Sequence, residues 1–178
     1  RGDGLPKSVQ GNYFVTEPVG RLIRRARVTE KDGIRTLTNV YEKDEFITST
    51  DMNFRPVNTY TGPDGCLYIV DMYRGIIQEA TWAQPGSNVY AQIKSRNLDK
   101  NIKRGRIYRV VHDDFKVHAK PTMLTDETVK LVSYLNHPNG WWRDNAQKEI
   151  IVRGDKSVVP QLKQIAAGEQ AGLPLKPS

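Results

Sequence analysis

Two hydrophobic rhythms divide the chain. In its first two thirds, short stretches alternate apolar and polar residues, the period of a half-buried strand. Tyr13-Phe14-Val15-Thr16-Glu17, Leu22 to Arg25, Ile34 to Val40, Arg55 to Tyr60, Leu67 to Asp71 and Arg106 to Val110 each carry β-branched or aromatic residues and predict strands. Gly62-Pro63-Asp64-Gly65 predicts a tight turn, with Pro where its fixed φ is favoured. From Thr125 onward, apolar residues recur at helical spacing. Thr125 is the expected cap of a first helix with Asp126 and Glu127 in its first turn, and Val129, Val132 and Leu135 mark one face. A second helix is predicted from about Trp141 to Val152, ending before Gly154, and a third from about Asp155, with Pro160 tolerable only in its first turn.

The strands fall into an internal repeat. Gly11 to Glu17 aligns with Gly65 to Asp71: a glycine, a small or polar residue, four strand-forming positions and a carboxylate. Gly20-Arg21-Leu22-Ile23-Arg24-Arg25 aligns with Gly105-Arg106-Ile107-Tyr108-Arg109-Val110, where Gly-Arg opens a strand. The offset is 54 residues for the first element and 85 for the second, so the second unit holds 31 extra residues between its strands. Radially repeated antiparallel sheets joined by glycine-rich turns are the pattern of a β-propeller. The expected fold class is therefore mainly β: the last blades of a propeller, followed by a small α-helical, HEAT-like region. The expected organisation is blades over 1–111 with an insertion about 72–104, a connector over 112–124, helices over 125–168 and a tail over 169–178. Two blades cannot close a ring, which leads us to expect a piece of a longer chain.

Composition narrows the function classes. Apolar residues make up 38% of the 178 residues and charged residues 26%, which permits a modest core. No apolar run is long enough to predict a transmembrane helix. Lys and Arg number 27 against 20 acidic residues, a net charge of +7. The basic groups Arg21 to Arg27 and Lys100 to Arg109 lie in strand-like contexts without regularly spaced stacking aromatics, so solvated faces are expected rather than a nucleic-acid footprint. The lone cysteine, Cys66, excludes an internal disulfide and a CxxCH haem attachment within these residues. GxGxxG, Walker A, HExxH and GxSxG motifs are all absent. His112, His118 and His137 fall in the connector and a helix-ending turn, where a solvated or satisfied imidazole is expected.

Polar density concentrates in Ser49 to Asn58 and in Asp71-Met72-Tyr73-Arg74-Gly75-Ile76-Ile77-Gln78. These flank predicted strand ends, where scaffolds display functional groups. Arg55, Asp71, Tyr73, Arg74 and Gln78 are the candidate substrate- or cofactor-binding residues. Their guanidinium forks and phenol suit planar, anionic or polyhydroxylated ligands. A structural role competes: Arg55 as a buried bridge, Asp51 and Asp71 as Asx ties within turns.

The same stretches carry a family resemblance. Gly11-Asn12-Tyr13-Phe14-Val15-Thr16-Glu17-Pro18, Asn53-Phe54-Arg55-Pro56-Val57, Gly62-Pro63-Asp64-Gly65, Asp71-Met72-Tyr73-Arg74-Gly75 and Gly105-Arg106-Ile107-Tyr108-Arg109-Val110 occur in an order that resembles bacterial membrane-bound dehydrogenase-like proteins with a haem-binding domain. That family is similar to the six-bladed propellers of glucose and sorbosone dehydrogenases. The resemblance implies a periplasmic, outer-membrane-associated or secreted protein that oxidises a sugar or alcohol. It implies pyrroloquinoline quinone and calcium as cofactors, with electrons passed to a c-type haem outside this segment. The implied partners are a small sugar or quinone at the propeller mouth and missing parts of the same chain, with no nucleic acid. The alternative is a non-catalytic module binding a protein or glycan, gripped by the insertion through Trp82, Tyr90 and Ile93.

Overall fold

The computed structural model describes residues 1–77, 81–116 and 119–168. Gln78, His118 and the tail from residue 169 lie outside the described residues. Seven strands and four α-helices occur among those described, in the order β1 (Tyr13–Glu17), β2 (Leu22–Lys31), β3 (Ile34–Asn39), β4 (Ile47–Thr48), β5 (Pro56–Thr61), β6 (Leu67–Asp71), α1 (Asn88–Ser95), β7 (Arg106–Val110), α2 (Thr128–Tyr134), α3 (Gly140–Arg153) and α4 (Val159–Ala166). They form two small antiparallel sheets, one ordered β1-β2-β3 with β4 also on β2, the other β5-β6-β7.

This corrects the expected fold class. The chain is a mixture of small sheets and helices rather than mainly β, and neither a propeller nor a closed barrel is formed among the described residues. Both repeat elements do make antiparallel hairpins, but their registers differ. Glu17 faces Leu22, two residues beyond Gly20, whereas Asp71 faces Arg106, one residue beyond Gly105. A slip of one residue exchanges the two faces of a strand, so the hairpins are alike in sequence and not in what they present to a core. The second sheet has three strands, and eight residues of the long insertion fold as α1 rather than as further strand.

The chain divides into two compact units. One comprises residues 8–60 and 67–111. In it, Ile23 and Ala26 on β2 and Leu67 and Ile69 on β6 are buried, with Phe54, Ile93 and Leu98. Phe14 and Phe46 pack with ring centroids 4.9 Å apart. Beyond Ala26, β2 and β3 run on as a ribbon exposed on both faces. Arg25 is buried, donating from Nε to Asn12 Oδ1 at 2.9 Å and from Nη1 to Tyr41 Oη at 3.3 Å, while Nη2 donates to the Ser8 carbonyl.

The other unit comprises residues 1–7, 61–66 and 112–178. Its core joins Met123, Leu131, Val132, Trp142, Ala146, Ile150 and Val158. The first helix of this unit begins at Thr128, two residues later than expected; Thr125 Oγ1 donates to the Thr122 carbonyl at 3.0 Å instead of capping. Asn139 caps α3 by accepting from Trp141 N, and Gly154 closes it with φ 61°, a conformation that favours glycine. Pro160 lies in the first turn of α4, where a missing N–H costs nothing. No helix among the described residues is long and apolar enough to cross a membrane.

Candidate functional site

Arg55 and Asp71 organise the loops at the ends of β5 and β6, and both are buried, at 6% and 1% exposure. Arg55 donates from Nε to the Arg74 carbonyl at 3.0 Å, from Nη1 to the Pro18 carbonyl at 2.8 Å and the Val19 carbonyl at 3.3 Å, and from Nη2 to the Gly75 carbonyl at 2.7 Å. A guanidinium offers five donors and no acceptor, so this one side chain ties two loop segments together. Asp71 Oδ1 accepts from Arg55 N and Tyr73 N, both at 2.8 Å, the second as an Asx turn. Gly75 permits the close pass that follows: a Cβ there would lie 2.6 Å from Leu98 Cβ.

Tyr73 is where the turn becomes a surface. Its backbone is left-handed, φ 45°, which a bulky side chain seldom adopts. Its phenol donates to Asp51 Oδ2 at 2.8 Å, and the Arg106 guanidinium sits 3.4 Å from its ring centroid. Asp51 Oδ1 accepts from Asn53 N at 2.9 Å and Asn53 Nδ2 at 3.1 Å. Asn101 Nδ2 donates to Asn53 Oδ1 at 3.0 Å and to the Tyr73 carbonyl at 3.1 Å. Asp51, Asn53, Tyr73, Asn101 and Arg106 thus form one connected cluster within the first unit.

The electrostatics follow from those bonds. Partial burial works to raise the Asp51 carboxyl, but hydrogen bonds from Asn53 and Tyr73 and the nearby Arg106 charge hold it below its ordinary 3.8. The same bond to Asp51 raises the Tyr73 phenol above its ordinary 10.0. Burial is the main cause that pushes the Tyr108 phenol up.

Of the residues singled out from sequence, the structure brings Arg55, Asp71 and Tyr73 into one network, and Arg74 is exposed beside it. Asn101 and Arg106 were missed as site residues. Of the insertion residues, Ile93 is buried, Tyr90 is half-buried and Trp82 is 75% exposed. Ile93 instead lines a cavity of about 260 Å3 with Met52, Arg55, Ile76, Val89 and Leu98. His112 Nδ1 accepts from Asp114 N at 3.2 Å, and His137 stacks on Trp142 with centroids 4.9 Å apart. Among the described residues no group of three or more His, Cys, Asp or Glu side chains could hold a metal ion. A quinone does not fit at Arg55, whose guanidinium already serves four backbone carbonyls.

Residues 1–114 match the family model of a domain of unknown function, DUF7133. The chain belongs to that family. The match takes in the whole cluster, from Asp51 to Arg106. No curated protein and no solved structure matches the chain.

Proposed function

We propose that this DUF7133 chain is a non-catalytic binding module whose Asp51, Asn53, Tyr73, Asn101 and Arg106 cluster holds a polyhydroxylated, sugar-like ligand. The observation that carries the reading is Tyr73, held in a left-handed backbone while its phenol is fixed by Asp51 and its ring lies under Arg106. A backbone of that kind costs about 1–3 kcal/mol and persists where the surroundings over-determine it, often at ligand clamps. Vicinal hydroxyls each donate and accept, and carboxylate, amide and guanidinium groups in a fixed frame answer both needs. The family resemblance points to sugars as substrates, and binding is the part of that activity this cluster supports. Asp51 is the one carboxylate in the cluster that could take a hydroxyl proton. Its lowered pKa makes it a weak base, which favours recognition over catalysis.

Titration calorimetry of the chain with a panel of neutral disaccharides tests this. At least one is expected to bind with a Kd of about 1 mM or tighter. Asp51→Asn and Tyr73→Phe are each expected to weaken that binding by about tenfold, the equivalent of one charge-assisted hydrogen bond. Failure of the whole panel to bind, or binding indifferent to both substitutions, overturns the reading. Turnover of a sugar by the chain supplied with pyrroloquinoline quinone and calcium would replace it with the redox one.

A further inference from the structure

We propose that the ligand of this cluster is an acidic saccharide, its charge carried by carboxylate or sulfate; the inference rests on the saccharide reading above. Residues 94–109 contain seven Lys or Arg and one carboxylate, Asp99, which is paired with Lys94 Nζ. That segment runs directly beside the cluster. Asn101 bonds the Tyr73 carbonyl, a Cβ on Gly105 would stand 3.4 Å from the Asp71 carbonyl, and Arg106 pairs with Asp71 across the sheet. Lys103 and Arg104 therefore leave the chain between two residues that touch the site. Arg74 directly follows Tyr73 in the chain, and Arg74, Lys103, Arg104 and Arg106 are all exposed.

Asp51 and the buried Asp71 offset part of this charge: the Arg106 charge acts on Asp51, and Asp71 lies opposite Arg106 in the sheet, which leaves Arg74, Lys103 and Arg104 exposed beside them. The guanidinium carbon of Arg106 lies 3.4 Å from the Tyr73 ring centroid, and the group also hydrogen-bonds the Tyr108 hydroxyl, two contacts that fix its position. A positioned guanidinium fork matches carboxylate or sulfate geometry, and a local excess of cations raises the concentration of an anionic ligand at the site. A neutral sugar would draw hydrogen bonds but no charge attraction from Lys103 and Arg104.

The test compares oligogalacturonate, its methyl ester, a sulfated galactan oligosaccharide and a single-stranded oligonucleotide by calorimetry at low and moderate salt. At least one acidic saccharide is expected to bind about tenfold tighter than the neutral ester, as for one added charge-assisted contact, and to weaken as salt rises. Which acid binds separates the carboxylate source from the sulfate one. The double variant Lys103→Gln, Arg104→Gln, checked for unchanged thermal unfolding, is expected to lose that preference while still binding the ester. Equal binding of acid and ester sinks this inference and leaves the saccharide site standing. No binding of any saccharide sinks both, and an oligonucleotide that binds as tightly as the acids shows a general polyanion surface instead.

Discussion

The two units hide their loop ends by different means. In the helical unit, Met123, Leu131, Val132, Trp142, Ala146, Ile150 and Val158 pack into one apolar cluster. The polar atom that Trp142 must bury, Nε1–H, meets the Pro63 carbonyl at 2.8 Å. In the sheet unit, two buried arginines share the work with the apolar residues: Arg25 on β2 and Arg55 immediately before β5. Two small sheets have little apolar surface with which to pin loops that carry many carbonyls. A guanidinium can satisfy several of those carbonyls at once and still pack its stem. The sheet unit is thus fastened by two buried guanidinium groups, the helical unit by apolar area together with the half-buried Arg153, which donates to the Met123, Leu124 and Asp126 carbonyls.

The difference should be visible when each fastener is removed. Trp142→Ala is expected to cost about 3–5 kcal/mol in the helical unit, through lost area, the cavity left behind and the loss of one of the two donors to the Pro63 carbonyl, Asn139 Nδ2 being the other. Arg55→Met keeps most of the stem but deprives the carbonyls of Pro18, Val19, Arg74 and Gly75 of their donor. It is expected to cost about 2–4 kcal/mol in the sheet unit. Hydrogen exchange resolved by segment reads both. Trp142→Ala should deprotect α2 and α3 while β6 keeps its protection, and Arg55→Met should do the reverse. Equal loss in both units under either substitution would show that they unfold as one, and the contrast would be void.

Local signals in the sequence reached local structure and stopped there. Alternation and β-branching located six of the seven strands because those features act within a few residues. The dihedral demand of Gly65, φ 76°, was legible in Gly62-Pro63-Asp64-Gly65. The propeller was an inference about long-range arrangement, and similar hairpins do not encode it; the one-residue difference between the Glu17–Leu22 and Asp71–Arg106 registers is invisible in the aligned letters. Helix α1 was missed because it buries a single residue, Ile93, and so shows no stripe. Ser87, whose side chain accepts from Tyr90 N, was the one cue that could have placed its start. At the site, Tyr73 stood out by composition, whereas Arg106 read as one cation in a basic strand. Only the cross-strand register that sets it opposite Asp71 brings it to Tyr73.

The smallest effect bears on the Asp51–Tyr73 pair, the exposed counterpart of the buried Arg55 fastener. The Asp51 carboxyl is held below its ordinary 3.8 in the folded chain, so its contribution is complete above that value and is lost as pH falls through the lower folded value. The Tyr73 phenol is raised above its ordinary 10.0, so its contribution is complete below pH 10.0 and is lost as pH rises through the raised value. Between those limits the pair adds a constant amount, of about 1 kcal/mol or less because both groups meet solvent. Urea titrations of the wild-type chain and Tyr73→Phe should therefore differ by a constant amount from pH 5 to 9. That difference should close below 3.8, where Asp51 takes up a proton and ceases to be a charged acceptor. A difference that instead varies across the neutral range would assign the left-handed backbone at Tyr73 to some other restraint, leaving the Arg106 contact over the ring as the next to remove.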